Sequence, residues 1–248
     1  MPEGPEVEKI RNLLENKIIG CDLSECTETS HPALTNAELK KIGKIISVSR
    51  KGKHLFINGE NDFILHHHLG MTGWWTNNTT SASKVVINLP FNDKLVFSDK
   101  LRWGSIFEIL TPTESLRVQE KLGPDWLSSE SVPFDLFCEK LKKHHRLKLD
   151  TFLLKQDFFC SLGNYLKAEI LFEAKLDPHR KLSSLTEDEI LTLHQCAKDI
   201  PLAASTYDTN KPYPKKIYGH KICPYNHKIS KYKSSDNRIT YWCEVCQQ

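Results

Sequence analysis

The first six residues, Met1-Pro2-Glu3-Gly4-Pro5-Glu6, place two prolines and two carboxyl groups within five positions. Removal of Met1, which the small residue after it permits, leaves Pro2 with a terminal secondary amine. An α-amino group titrates near about 7.7–8.0, so a useful fraction is unprotonated close to neutrality. Such an amine can attack a carbon with carbocation or aldehyde character and form an iminium, whereas a lysine needs a lowered pKa to do the same. Glu3 is adjacent and Glu6 lies three residues on, so the two can share one helix face and either can serve as general acid or base. The same residues also suit a structural task. Proline is common in a first helical turn, and carboxylates stabilise a helix N-terminus through its dipole.

A second constellation closes the chain. Cys223 and His227 have three residues between them, fifteen more separate His227 from Cys243, and Cys246 follows after two. Two close pairs joined by a hairpin-length insert make a tetrahedral Cys3His site of the kind that holds structural zinc, one ion per chain. His220 also lies near Cys223 and is an alternative ligand; His227 is preferred as the second member of a knuckle. Lys228–Trp242 alternates like a hairpin, with Ser234-Ser235-Asp236-Asn237 at the turn. Arg238, just past that turn, can project toward a phosphate or stand as an ordinary exposed arginine.

These groups need elements to hold them. Val7, Ile10, Leu14 and Ile18 recur at helical spacing and predict an amphipathic helix over about residues 5–18. Short runs rich in Val, Ile and Phe follow: Ile45–Val48, His54–Ile57, Phe63–Leu69, Lys84–Leu89, Lys94–Phe97 and Ser105–Leu110. Their spacing predicts an antiparallel sandwich or barrel. Pro133–His145, Leu149–Gln156, Leu166–Leu176 and Thr186–Ile200 read as helices, the last opened by the capping-box pair Thr186 and Glu189. Residues 201–219, with three prolines and a glycine, read as a loop. The fold class expected is α+β: an N-terminal helix with a β-sandwich over 1–120, a helical domain over 121–205 and a zinc hairpin over 206–248.

The chain has 248 residues, 39% apolar and 26% charged, enough to bury a proper core. No apolar run is long enough to span a membrane, and the N-terminus lacks the pattern of a signal peptide. An intracellular protein is therefore expected, in nucleus or cytoplasm, whose eight cysteines are reduced. Cys21, Cys26, Cys138, Cys160 and Cys196 are scattered singly. Net charge is only +3, yet residues 211–248 carry eight Lys/Arg against two Asp/Glu. A local basic region on a near-neutral chain is the footprint of a polyanion-binding face.

Further motifs join these. Arg50-Lys51-Gly52-Lys53 occupies a strand turn, and His68-Leu69-Gly70-Met71-Thr72-Gly73 follows. Leu122-Gly123-Pro124-Asp125, then Leu162-Gly163-Asn164-Tyr165 with Glu169-Ile170-Leu171-Phe172, precede the terminal Cys246-Gln247. With the N-terminal hexapeptide and the metal hairpin, they resemble the formamidopyrimidine-DNA glycosylase and endonuclease VIII group of base-excision repair enzymes, in that family's order along essentially the whole chain.

The resemblance implies a bifunctional DNA glycosylase and AP lyase, a monomer acting on damaged DNA. Pro2 would be the nucleophile toward the sugar C1′ and Glu3 the proton donor to the ring oxygen; Glu6 would fix the N-terminal helix. Lys53 would contact the phosphate beside the lesion. The helix–two-turns–helix around Asn164 and Glu169 would bind the DNA backbone, with a tight turn at Gly163, and Arg238 would do so from the hairpin. A flipped-out nucleotide leaves a void, which Met71 would fill as an apolar wedge. Leu101 and Trp103 depart from the loop that supplies two further void-filling residues, and Leu101 stands where the formamidopyrimidine branch usually has an arginine. Met71 and Trp103 also suit a core. Gly4, Leu101 and the short 201–219 loop point to the endonuclease VIII branch and to oxidised pyrimidines, hydantoins and other ring-fragmented bases. Cys3His resembles a subgroup of that branch that favours bubbles and single strands. Rivals are a catalytically silent DNA-binding module on the same scaffold, an oxidised-purine glycosylase, and a small-molecule iminium enzyme.

The proline chemistry requires a free amine. Intact mass of the active protein should be short by one methionine residue, and a retained N-terminal tag should abolish both base excision and strand cleavage.

Overall fold

The computed structural model describes residues 2–101, 105–130, 132–208, 211–234 and 236–248. The chain divides into two compact units, Met1–Lys121 and Leu122–Gln248, so the segment expected as a separate hairpin domain lies within the second.

The first unit opens with helix α1 (Gly4–Ile18), whose Val7, Ile10, Leu14 and Ile18 are all buried, as their spacing demands. Helices α2 (Leu23–Cys26) and α3 (Asn36–Ile42) flank strand β1 (Thr27–Thr29). Strands β2 (Ile45–Lys51), β3 (His54–Gly59), β4 (Ile64–His68), β5 (Gly73–Thr76), β6 (Ser83–Asn88), β7 (Lys94–Asp99) and β8 (Ile106–Leu110) follow. They form two four-stranded antiparallel sheets, in the orders β2-β3-β4-β8 and β1-β6-β7-β5. Ile57 and Leu65 from one sheet and Val85, Ile87 and Phe97 from the other meet α1 in a single core, which makes the expected sandwich. Helix α4 (Pro112–Glu120) packs against β4 and β8.

The second unit contains α5 (Phe134–Lys143), α6 (Leu149–Phe152), α7 (Asn164–Glu173) and α8 (Glu187–Thr206), then the hairpin β9 (Ser230–Lys233) and β10 (Ile239–Trp242). Every residue of α7 from Asn164 to Phe172 is buried. A helix apolar on one stripe needs one partner; α7 is covered all round, by α8 and by β10.

Several expectations need correction. Residues 201–206 are helical, not loop: α8 runs through Pro201, and Ala204 is fully buried. An interior proline removes a helical hydrogen bond, but Leu202, Ala203 and Ala204 favour continuation. The helix expected over Leu149–Gln156 stops at Phe152, and the Gln156 amide instead donates to the carbonyls of Leu154 and Leu162. Strand β5 and helix α4 were not foreseen. Among the described residues no helix is long and apolar enough to cross a membrane.

The sandwich core turns on Phe97, fully buried against Trp75, His67 and Phe107. Phe97→Ala should destabilise the first unit by about 3–5 kcal/mol, read as a lowered urea midpoint for loss of tertiary structure.

Candidate active site and nucleic-acid interface

Pro2 is buried, and Glu3, the N-cap of α1, is 1% exposed. The Glu3 amide donates to Glu6 Oε2 at 2.9 Å, closing one half of a capping box. Glu6 therefore fixes the backbone on which Pro2 and Glu3 sit. Two residues on, Glu8 binds Arg11 and also Arg50 of β2, whose Nη1 donates to the Gly52 carbonyl at 3.3 Å. Gly52 has φ 61, the left-handed conformation that suits glycine, and Lys53 follows it. Lys51 Nζ donates to the Gln119 carbonyl at 2.9 Å. The lysine turn is thus tied to α1 on one side and α4 on the other.

Met71 is 46% exposed, and Leu101 is also exposed. They stand on loops joined by Thr72, whose hydroxyl donates to buried Asp99 and accepts from the Leu101 amide at 3.2 Å. Exposure of Met71 answers the alternative that it is a core residue. Trp103 lies outside the described residues.

In the second unit the Leu122–Asp125 motif prepares the start of α7. The Cys160 amide donates to Pro124 O and the Gly123 amide to Gln156 O, each at 2.9 Å. Asp125 accepts from Ser161 Oγ, and Ser161 has φ 87. The strained residue of this turn is therefore Ser161; Gly163, expected to permit the tight bend, has φ −127, which any residue adopts. Asn164 Nδ2 donates to Ile239 O at 2.8 Å, so that donor serves the hairpin. Glu169, grouped by resemblance with the DNA-binding residues, is 2% exposed and accepts from the amides of Lys216, Ile217 and Tyr218 at 2.7, 3.1 and 2.9 Å. A carboxylate spent on three backbone amides organises the protein's own loop and has no reason to meet phosphate.

Cys223, His227, Cys243 and Cys246 offer ligand atoms within 4.8 Å of one another, a group that could hold a metal ion. Their separations include 3.7 Å between Cys223 Sγ and His227 Nδ1 and 4.0 Å between Cys223 and Cys246 Sγ. Bond lengths of about 2.0–2.3 Å to tetrahedral zinc imply donors roughly 3.5–3.8 Å apart, a range that these separations and the 3.2 Å between His227 Nδ1 and Cys246 Sγ bracket, so the donor set suits the ion. His220 is exposed and not one of the four. Gln247 locks the knuckle: its side chain accepts from the Cys243 amide at 2.8 Å and donates to Leu176 O at 2.9 Å. Beneath the hairpin, fully buried Lys167 donates to Thr240 Oγ1 at 2.6 Å, and Tyr232 donates to Asp150 Oδ2 at 2.6 Å. Arg238 is half exposed at the tip, and its Nε pairs with Asp236 Oδ2 at 3.2 Å. Sequence reasoning missed Glu8, Thr72, Asp99 and Lys167; each acts through a partner distant in the chain.

Comparison with known proteins follows this division. The formamidopyrimidine-DNA glycosylase N-terminal domain matches residues 1–106, and the H2TH domain of the same enzymes matches residues 122–210. The formamidopyrimidine-DNA glycosylase of Lactococcus lactis subsp. cremoris is 32% identical, with all of both chains covered. Endonuclease 8 of Pectobacterium carotovorum is 27% identical, again over all of both chains. A structure of Lactococcus lactis Fpg in complex with DNA containing an abasic site superposes with a TM-score of 0.84, at 27% identity and full coverage of both chains. With a sandwich unit whose first helix opens at the buried Pro2-Glu3 turn, and a helical unit carrying the Cys-His group, these matches place the chain among the DNA-repair glycosylases. The chain belongs to the formamidopyrimidine-DNA glycosylase/endonuclease VIII family of DNA glycosylases and AP lyases. Relatives of both branches align along its whole length.

The Glu8–Arg50 tie carries a pH signature. Burial works to raise the Glu8 carboxyl, but hydrogen bonds and charge from Arg11 and Arg50 outweigh it and hold the group below its usual range. A depressed native pKa contributes stability above the unfolded value, lost as pH falls through the native one. Glu8→Gln should therefore be less stable than the parent at pH 7, and the gap in urea midpoint should close on acidification below the carboxylate range.

Proposed function

We propose that this enzyme excises oxidised bases, chiefly pyrimidines and ring-fragmented hydantoins, through the amine of Pro2, and then cleaves the strand by β- and δ-elimination. The observation that carries the reading is the buried N-terminal turn: Glu3 is almost wholly buried beside Pro2, and its amide is held by Glu6. Pro2 nitrogen forms a bond to C1′ as the glycosidic pair leaves with the base. The Glu3 carboxyl supplies a proton to the ring oxygen, the sugar opens, and the iminium acidifies the C2′ hydrogen. Loss of that proton expels the 3′ phosphate, and a second elimination expels the 5′ phosphate. Binding energy and positioning come from Lys53, from the α7 N-terminus with Asn164, and from Arg238, while Met71 fills the space of the extruded nucleotide.

Zinc is the metal whose chemistry the Cys3His set suits, held by Cys223, His227, Cys243 and Cys246. With four protein ligands it would shape the hairpin and leave no position for a reacting water. Preference for oxidised pyrimidines is supported by Leu101, an apolar side chain where the purine-processing branch usually carries arginine. Extension of α8 to Thr206 supports it too, since it shortens the loop that follows.

Borohydride trapping on oligonucleotides bearing different lesions tests this reading. The parent should give a covalent adduct whose peptide maps to Pro2, most strongly with oxidised pyrimidines. Glu3→Gln should lower base excision by at least the ~10²-fold expected for loss of a general acid, with DNA affinity little changed. An adduct mapping to a lysine, or loss of binding together with activity, would refute the assigned roles.

A further inference from the structure

One polar cluster in the first unit has no part in the chemistry above. On sheet β2-β3-β4-β8, Leu55, Ile57, Leu65 and Phe107 face the core, so alternation puts His54, His66, His68 and Glu108 together on the opposite face. The register sets His54 across from His68 and His66 across from Glu108. His54 Nδ1 lies 2.8 Å from His66 Nε2, and His66 Nδ1 lies 3.1 Å from Glu108 Oε2.

The direction of these bonds follows from which groups can donate. A carboxylate only accepts, so His66 Nδ1 carries the proton. Burial holds both rings below the usual imidazole range; His54, next to His68, His66 and Lys53, is pushed down to about 3. Neutral His66 then has a bare Nε2, and His54 must donate to it from Nδ1. The tautomer and the ring plane of His54 are fixed from Glu108 inward.

His54 touches two segments assigned to DNA. It directly follows Lys53 at the end of the β2–β3 turn. Its ring centroid also lies 4.9 Å from that of His68. His68 Nδ1 in turn accepts from the Gly70 amide at 3.1 Å, and Gly70, with φ 66, immediately precedes Met71.

We propose that His54 is a positioning residue, oriented by the chain Glu108–His66–His54, that fixes the Lys53 turn and, through His68, the loop carrying Met71. The inference rests on the reading of Lys53 as a phosphate contact. His66→Leu would remove both hydrogen bonds. His66→Gln would keep them, its carbonyl accepting from His54 and its amide donating to Glu108.

Two measurements on the full-length protein test it. The imidazole 15N spectrum of the parent should show His54 and His66 as neutral Nδ1–H tautomers; an Nε2–H tautomer at His54 would overturn the chain of bonds without any variant being made. Single-turnover excision should then be compared for Lys53→Ala, His66→Leu, His66→Gln and the Lys53→Ala/His66→Leu double variant. His66→Leu should slow the step by about tenfold, within what misplacing a contact group can cost, and His66→Gln by less than about twofold. In the double variant the His66 effect should shrink to less than about threefold, because a side chain that is gone cannot be misplaced. Full multiplication of the two single losses, or a glutamine no better than leucine, would overturn the positioning role while leaving Lys53 as assigned. Undiminished activity of Lys53→Ala would overturn the reading of Lys53 and this inference with it.

Discussion

The bond from the Glu3 amide to the Glu6 carboxylate is the constraint on which the chemistry proposed for the first unit depends. A chain terminus frays unless it is tied down, and the proposed reaction puts its nucleophile, Pro2, there. One face of α1 buries Val7, Ile10, Leu14 and Ile18 in the sandwich. The turn that begins it holds its own start through Glu6, and Glu8, one turn along, reaches Arg50 and the β2–β3 turn. A single helix thus docks the unit, anchors the N-terminal turn and ties down the lysine turn.

How much of this can be read from the sequence depends on the distance over which each signal acts. The stripe of α1 and most strands are short-range patterns, and the observed elements match them to within a few residues. The grouping of the four candidate metal-binding residues was legible for the same reason: Cys223 with His227, and Cys243 with Cys246, are each one knuckle apart. Proline reads as a breaker in the sequence, so α8 is expected to stop at Ile200, yet the helix runs on with both Pro201 and Ala204 buried. The bend before α7 was placed at Gly163 because glycine is the usual residue for it; the chain uses Ser161, restrained by Asp125 from thirty-six positions away. Glu169 was misplaced for a related reason. Nothing near it in the chain shows that the amides of residues 216–218 come to its carboxylate. The His54–His66–Glu108 row was equally hidden, since three adjacent histidines look alike until strand register sends His67 to the core and His66 to the other face.

Four polar groups buried in the second unit follow one pattern. Lys167, Asp150, Gln247 and Glu169 are inside, and each is matched by a partner on the hairpin, at its base, or on the loop leading to it. An unmatched buried charge is expensive, so these pairs admit only one seating of the hairpin on the helices. They define its orientation more than they add to its strength.

Helix α7 takes part in two cores at once. Tyr165, Leu166 and Ile170 pack into the helical bundle, while Ala168 and Phe172 pack with Ile217, Ile229 and two cysteines of the candidate metal group, Cys223 and Cys243. A metal ion held by the knuckle and the folding of the bundle would consequently be reciprocal ligands of one another. Whatever free energy a bound ion lends to the folded helices, weakening the helices must take back from the ion's affinity. A substitution deep in the bundle, far from any sulfur atom, would thus register first as a protein that surrenders its metal more readily to a chelator.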